Sequence, residues 1–249
     1  MRIIVCIDDT DNIDSDWGTG ELAAKISETM EELGWGKSYG VTRHQLLVHP
    51  DIPYTSHNSS MCFEAEIAEP YLDVLIDFAS DFLSQESAEG SDPGLCVAVP
   101  ERLSKPGLLI DFGRKAKETV VSKQEAYNLA QQLGIHLSEH GGDGQGVIGA
   151  LAGAGLRLSG NDGRLRGKLK IKNASGVISV RDIISQTCVD VVRVLDGAAL
   201  NNDETVRLGK TVKPVLLEGK FVLFVFPAGA EEKIDALWQT CTKEQLRKY

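Results

Sequence analysis

The residues with the most chemistry in them stand near the start of the chain. Ile7-Asp8-Asp9-Thr10-Asp11 is followed by Asp14, Asp16, Gly18, Thr19 and Gly20, so a run of carboxylates precedes a Gly-Thr-Gly helix start. Oxygen donors at this density suit a hard cation, and Mg2+ takes one or two carboxylates together with substrate phosphates. The free backbone N–H groups of the following helix, from Gly18 and Gly20 onward, favour an anion, and the helix dipole adds to that preference. A plainer reading also stands, in which acids and glycines make a good loop and Thr19 serves as the helix N-cap. Calcium is the weaker cation here, because the EF-hand glycine and closing glutamate are missing.

Two further segments carry candidate groups. His140-Gly141-Gly142-Asp143-Gly144-Gln145-Gly146 leads into Val147-Ile148-Gly149-Ala150, again a glycine-rich helix start. No Gly-Lys-Ser/Thr follows, so it is not a Walker loop, and no strand is expected before it, so it is not a Rossmann fingerprint. Its backbone can meet a phosphate, its Gly149 and Ala150 can serve close helix packing, and the two roles are compatible. The third segment sets Arg43, His44, His49, His57, Asn58, Ser59 and Ser60 around His49-Pro50-Asp51-Ile52-Pro53-Tyr54. The histidine spacings do not match a helical metal pair, and contacts to phosphate or base fit a proline-rich loop better. A plain surface loop is the alternative.

These segments need elements to hold them. Residues 2–7 read as a buried strand, and Leu22, Ile26, Met30 and Leu33 recur at helical spacing before Gly34. Residues 62–67 alternate Phe63, Ala65 and Ile67 with Glu64 and Glu66 as a half-buried strand does, residues 72–83 return to helical spacing, and residues 95–99 form a short strand after Asp92-Pro93-Gly94. Ser122 and Glu125 have the spacing of a capping box, and that helix runs to Gly134. Beyond about residue 175 the pattern is β-rich, with a hairpin through Glu218-Gly219 and a closing amphipathic helix carrying Ile234, Leu237, Trp238 and Cys241. The fold class is therefore α/β (α+β), with an expected catalytic domain over residues 1–172 and a small, ferredoxin-like α+β domain over residues 173–249.

Composition narrows the classes. A chain of 249 residues, 42% hydrophobic and 25% charged, can bury a proper core. No apolar run approaches the roughly 20 residues of a membrane helix, and no signal-peptide stretch precedes Asp8. A cytosolic protein with no membrane partner is expected. Cys6, Cys62, Cys96, Cys188 and Cys241 are odd in number, widely spaced and mostly within apolar stretches, which suggests buried reduced thiols. A net charge of -10 argues against capture of nucleic acid by the whole surface. The dense basic stretch of residues 157–172, with Arg157, Arg164, Arg166, Lys168, Lys170 and Lys172, reads either as a solvated strand pair or as a local nucleic-acid contact.

The motifs agree in order with a known family. Ile7-Asp8-Asp9-Thr10-Asp11, Pro50-Asp51-Ile52-Pro53-Tyr54, Asp92-Pro93-Gly94 and the run from Gly144 through Gly149 to Ala152 resemble those of the archaeal isoleucine-tRNA agmatinylcytidine synthetase, over roughly residues 1–155. That family joins agmatine to a cytidine of the anticodon using ATP, and its N-terminal part is an unusual kinase. The resemblance implies ATP and Mg2+ as cofactors, with Asp8, Asp9 and Asp11 as metal or catalytic carboxylates. It implies Thr19 as phosphate acceptor and Gly144, Gln145 and Gly146 in the nucleotide pocket. Arg43, His44, His57 and Asn58 then face an acceptor substrate of unknown identity; the alternatives are a tRNA-modifying enzyme working with a separate RNA-binding partner and a nucleotide-binding module without turnover. Three departures are visible: Ile13 to Trp17 intervene before Thr19, Thr55-Ser56-His57-Asn58-Ser59-Ser60 replaces the basic KTRGNG run, and no OB-fold or zinc ribbon is expected in these residues. The sequence leaves the oligomeric state open.

Overall fold

A computed structural model describes residues 1–52, 57–167, 169, 171–172, 176–210, 212–229, 237–242 and 244–246. The chain divides into two compact units, Met1–Ser159 and Gly160–Tyr249. This division falls before the 172/173 boundary expected from sequence texture, because helix-to-strand texture changes later than the contacts do.

The N-terminal unit is a mixed α/β layer structure. Its strands are β1 (Arg2–Asp8), β2 (Gly36–Ser38), β3 (Thr42–Gln45), β4 (Ser59–Ile67), β5 (Gly94–Ala98) and β6 (His136–Glu139). They run in the order β6-β5-β1-β4-β3, with β2 pairing further along β4, and every pairing is antiparallel. Helices α1 (Thr19–Glu32) and α2 (Tyr71–Glu86) cover one face. There Ile26, Met30, Leu75 and Leu83 pack with Ile3, Val5, Phe63 and Val97. Helices α3 (Pro106–Glu118), α4 (Lys123–Leu133) and α5 (Gly146–Leu158) cover the other, packing with Ile4, Cys6, Cys62 and Cys96. Burial on both faces explains why β1 reads as an unbroken apolar run, a pattern more familiar from parallel sheets.

Local signals explain the boundaries. The Ser122 and Glu125 capping box forms as expected, and Gly134 closes α4 in the left-handed conformation at φ 67°. Leu33 is a correction: it ends α1 and is 55% exposed, outside the core. Strand β6 is another, since a strand does precede the second glycine-rich loop; it is a short edge strand with no continuous apolar pattern to reveal it.

The C-terminal unit contains β7 (Arg164–Leu165), β8 (Val177–Ser179), α6 (Val180–Gln186), β9 (Val191–Val194), β10 (Thr205–Arg207), β11 (Val215–Leu217), β12 (Lys220–Pro227) and β13 (Trp238–Thr240). Strand β12 is its centre, pairing antiparallel with β11 and β13 and parallel with β9. The hairpin through Glu218 and Gly219 forms, with φ of 54° and 72°, the two left-handed residues of a primed turn. The closing amphipathic helix is corrected in part: Trp238 lies in β13, where Pro227 is its pairing partner, while Ile234 is outside the described residues. A ferredoxin-like arrangement uses two helices on one sheet face; among the described residues this unit has one, α6. Cys6, Cys62, Cys96 and Cys241 are buried free thiols, whereas Cys188 is exposed. Among the described residues no helix is long and apolar enough to cross a membrane.

Candidate functional site

The alternating strand directions bring the candidate loops to one end of the N-terminal sheet. Asp8, at the end of β1, pairs with Gly94 at the start of β5, and Gly94 pairs with Glu139 at the end of β6. On the other side Ile7 pairs with Met61, while His44 and Gln45 at the end of β3 pair with Ser60 and Ser59 at the start of β4. The acidic loop, the turn at Asp92, the glycine-rich loop and the start of β4 therefore share one edge, although they lie far apart in sequence.

The acidic loop supplies the centre. Asp8 follows Ile4 and Cys6 on the sheet face covered by α5, and it is 8% exposed. A Cβ added to Gly149 would lie 1.6 Å from Asp8 Oδ2, so the glycine is what lets this carboxyl lie against the first turn of α5. Burial, and then the charges of Asp9 and Asp11, push the Asp8 carboxyl up to about 8. Asp9 holds a left-handed backbone at φ 54°, an uncommon state for a residue with a side chain. Burial, then Asp92, then Asp11 raise its carboxyl to about 6. Thr19 is not the N-cap; Gly18 is, and Thr19 is the first residue of α1. Its hydroxyl donates to Asp11 Oδ1 at 3.1 Å, which ties the helix start to the acidic loop. Ser15, Asp16 and Trp17 line a cleft of about 290 Å3 with Glu86 and Ala88 beside this loop.

In the glycine-rich loop the backbone donors are not all open to a ligand. Asp92 Oδ1 accepts from Asp143 N and, at 3.1 Å, from Gly144 N, while the Asp92 carbonyl accepts from Gly146 N at 3.0 Å. Lys123, the first residue of α4, grips the loop from outside, donating to Asp143 O at 2.7 Å and to Glu139 Oε2 at 2.6 Å. A Cβ on Gly144, whose φ is 69°, would fall 1.5 Å from Glu139 Oε2. Gln145 precedes α5 at the cap position and makes no side-chain capping bond.

The third segment is less open than its sequence suggests. His44 is fully buried, with Nε2 2.8 Å from Thr42 Oγ1. Arg43 Nε donates to Ser59 Oγ at 3.0 Å, and Asn58 Nδ2 donates to Leu47 O at 2.6 Å, so both brace the β3–β4 end. His57 is exposed; residues 53–56 are outside the described residues. Arg157 also departs from expectation. It is 5% exposed and belongs to no surface basic patch, donating instead to Thr42 Oγ1 and Tyr39 O, both at 3.0 Å. Thr42 Oγ1 also lies 3.1 Å from Cys62 O, so this one hydroxyl ties His44 and Arg157 to β4. Gly149, Gly153 and Arg157, four residues apart on α5, thus lie over Asp8, Ser60 and Thr42 in turn. The sequence signal for this buried seam is only that spacing.

Carboxylates are the donor type a hard cation takes, and among the described residues the buried hydroxyls of Thr10, Ser60 and Ser87 have no hydrogen-bond partner. Among the described residues no three carboxylate, histidine or cysteine groups already converge on one point. Asp8, Asp9, Asp11 and Asp92 border a site where burial and mutual repulsion raise the carboxyls of Asp8 and Asp9.

A two-faced α/β layer with carboxylates and glycine-rich helix starts at one sheet end is the class this unit defines. No protein-family model and no curated protein matches the chain. Solved structures do match. The complex of TiaS with its isoleucine tRNA and ATP superimposes with a TM-score of 0.54 at 30% identity, over 62% of this chain and 36% of that chain. A tRNA fluorescent labeling enzyme gives 0.52 and 32% over 62% and 36%. Apo TiaS, an agmatidine synthetase of isoleucine tRNA, gives 0.51 and 29% over 62% and 35%. The chain thus resembles part of TiaS and spans about a third of the length of the TiaS chains it matches.

Proposed function

We propose that the chain is an ATP- and Mg2+-dependent enzyme of the phosphoryl-transfer or ATP-activated ligase type, working at the loop end of the N-terminal sheet. The observation that carries this reading is the convergence of the acidic loop, Asp92 and the starts of α1 and α5 on that edge. Its chain-level likeness is to a TiaS complex containing an isoleucine tRNA and ATP, and to one containing AMPCPP and agmatine.

Asp8, Asp9 and Asp11 would hold the cation, and Mg2+ when bound supplies the charge neutralisation that phosphoryl transfer needs. The α1 start at Gly18, Thr19 and Gly20 offers backbone donors to the phosphates. Asp11 accepts the Thr19 hydroxyl proton, the arrangement a hydroxyl acceptor requires. Since three N–H groups of residues 143–146 are engaged by Asp92, that loop acts by shaping the pocket wall rather than by offering all its donors. Arg43, His57 and Asn58 lie at the same sheet edge as candidate acceptor contacts. The buried His44 acts through Thr42 and Arg157 rather than by touching a substrate.

A second reading makes tRNA the acceptor, on the strength of the isoleucine tRNA in the similar TiaS complex. Within the chain, Arg164 and Arg166 would be the basic contacts, and binding would weaken steeply with salt. Calorimetric titration of ATP with Mg2+ into wild type and Asp9→Ala, followed by product analysis, decides the primary reading. Binding that requires Asp9, with turnover to ADP or AMP, supports it. Binding without turnover would leave a nucleotide-binding module, and no binding would remove the pocket altogether.

A further inference from the structure

Three thiols stand in one row across the N-terminal sheet. Cys6 on β1 is the pairing partner of Cys62 on β4 to one side and of Cys96 on β5 to the other. All three are free and fully buried on the face that α5 covers. No step of the proposed function uses them.

Register decides which two of the three can react with each other. Met1 and Ile67 exchange both backbone hydrogen bonds, each at 2.9 Å, so the pairs that do so continue at alternate residues, Ile3, Val5 and Ile7. Cys6 and Cys62 therefore form a pair of the other kind, in which the backbone groups point away from each other and the side chains come closer, with Cα atoms about 4.5 Å apart. That separation falls within the ~4.4 to 6.8 Å that a disulfide spans. The backbone groups of Cys6 point instead to Cys96, a pairing that holds the Cα atoms about 5.5 Å apart and the side chains further from contact. The Cys6 thiol is accordingly in hydrogen-bond contact with that of Cys62, whereas Cys96 acts on it through charge alone. Gly153 lies over the pair: a Cβ there would fall 2.5 Å from Cys6 Sγ, so this sulfur rests against the α5 backbone, one turn beyond the point where Gly149 meets Asp8.

We propose that Cys6 and Cys62 are a redox pair that closes, in the folded protein, into a cross-strand disulfide beneath α5, and that closure changes how α5 seats on the sheet. Hydrogen peroxide, small and uncharged, is the class of oxidant suited to sulfurs with no exposed surface. With Cys6 Sγ as nucleophile, the sulfur attacks one peroxide oxygen, the O–O bond breaks, water leaves with the thiol proton, and a sulfenic acid remains. Cys62 Sγ then attacks Cys6 Sγ, the S–O bond breaks, and a second water leaves with the Cys62 proton. Two electrons pass from the two sulfurs to the peroxide as the S–S bond forms, and a dithiol reductant reverses the step by exchange. The new bond draws Cys6 Sγ toward β4 and away from Gly153, so the redox state sets the seat of α5. This inference stands whether or not the proposed function does.

The test uses the full chain carrying Cys188→Ser, which removes the exposed thiol. Folded protein is treated with hydrogen peroxide, unfolded in iodoacetamide and mapped by mass spectrometry, with a melting curve and amide hydrogen exchange recorded before and after. The expected product joins the Cys6 and Cys62 peptides and lacks the mass of two hydrogens. It melts higher than the reduced form, because the cross-link constrains the unfolded chain, and it shows altered exchange at residues 149–153. Dithiothreitol should reverse all of these changes. Cys62→Ala should abolish them and Cys96→Ala should keep them, although the parent chain decides the link whether or not either variant folds. Absence of a Cys6–Cys62 link in folded protein would overturn the proposal, as would a link made to Cys96 instead. A link with unchanged melting and exchange would overturn the switch, leaving an incidental oxidation.

Discussion

Asp8 and Asp9 are carboxyls that burial and neighbouring acids make costly to ionise. Both carboxyls are raised above their ordinary value of 3.8, to about 8 and about 6 respectively. The native protein therefore binds more protons than the unfolded chain between those values. The resulting stability is present in full below the ordinary value and is lost as pH rises through about 6 and then about 8. Cation-free protein should accordingly melt at a lower temperature at about pH 8.5 than at about pH 5, and Asp8→Asn should flatten the upper part of that fall. Added Mg2+ should raise the melting temperature most at the alkaline end. A pH-independent difference between wild type and Asp8→Asn in differential scanning fluorimetry would refute the burial argument. At Thr19, the bond to Asp11 predicts that Thr19→Ala abolishes any covalent phosphate found on the protein, while Thr19→Ser retains it. Intact-mass analysis after incubation with ATP distinguishes them.

At the scale of the element, α5 decides how closely the site can be built. Its glycines are spaces for particular atoms. Gly153 leaves room for Ser60 Oγ and Cys6 Sγ, which a Cβ would approach to 2.2 and 2.5 Å. Gly155 does the same for the Leu109 carbonyl, at 2.1 Å, and so sets the distance between α3 and α5. Gly153→Ala should cost about 1 to 3 kcal/mol of stability by overpacking, read from urea unfolding. Gly149→Ala meets Asp8 Oδ2 instead, and its larger effect should fall on cation and nucleotide binding. Helix α4 offers a control away from this contact. Ser122 accepts from Glu125 N and Glu125 returns a bond to Ser122 N at 3.0 Å, while the Lys115 ammonium and these bonds hold the Glu125 carboxyl down to about 2. Ser122→Ala should cost about 1 kcal/mol with cation binding unchanged.

For the molecule as a whole, the two units define what can be separated. The N-terminal unit has its own buried clusters on both sheet faces, and the proposed site draws all its residues from that unit. Residues 1–159 expressed alone should unfold cooperatively and bind Mg2+ with ATP as the full chain does; a fragment that folds without binding would show that the second unit contributes to the site. A net charge of -10 leaves long-range attraction to nucleic acid weak, so any tRNA affinity must come from local contacts. Substituting Arg164 and Arg166 together should then lower the salt slope of tRNA binding, whereas Arg157→Ala should lower stability, because that side chain is inside the core.

Much of this was legible from one dimension. The strands at residues 2–7 and 62–67, the helices after the acidic loop and after residue 71, the capping box, the Glu218-Gly219 hairpin and the likeness to agmatinylcytidine synthetase all follow from periodicity, turn chemistry and short motifs, which depend on neighbours in sequence. Strands β3 and β6 gave no such signal, because each is four residues long and too short for a repeating pattern. The same holds for the C-terminal strand at Trp238, whose local spacing suits a helix until β12 supplies its hydrogen bonds. Nor does a list of polar residues say which are inside: His44 and Arg157 look like surface candidates until Thr42 joins them beneath α5. The residue types available for chemistry were determined by the sequence alone. Their assembly at one sheet edge, the engagement of the glycine-rich loop by Asp92 and the burial that raises Asp8 were decided only by tertiary structure, because strand register and desolvation are properties of contacts between residues distant along the chain.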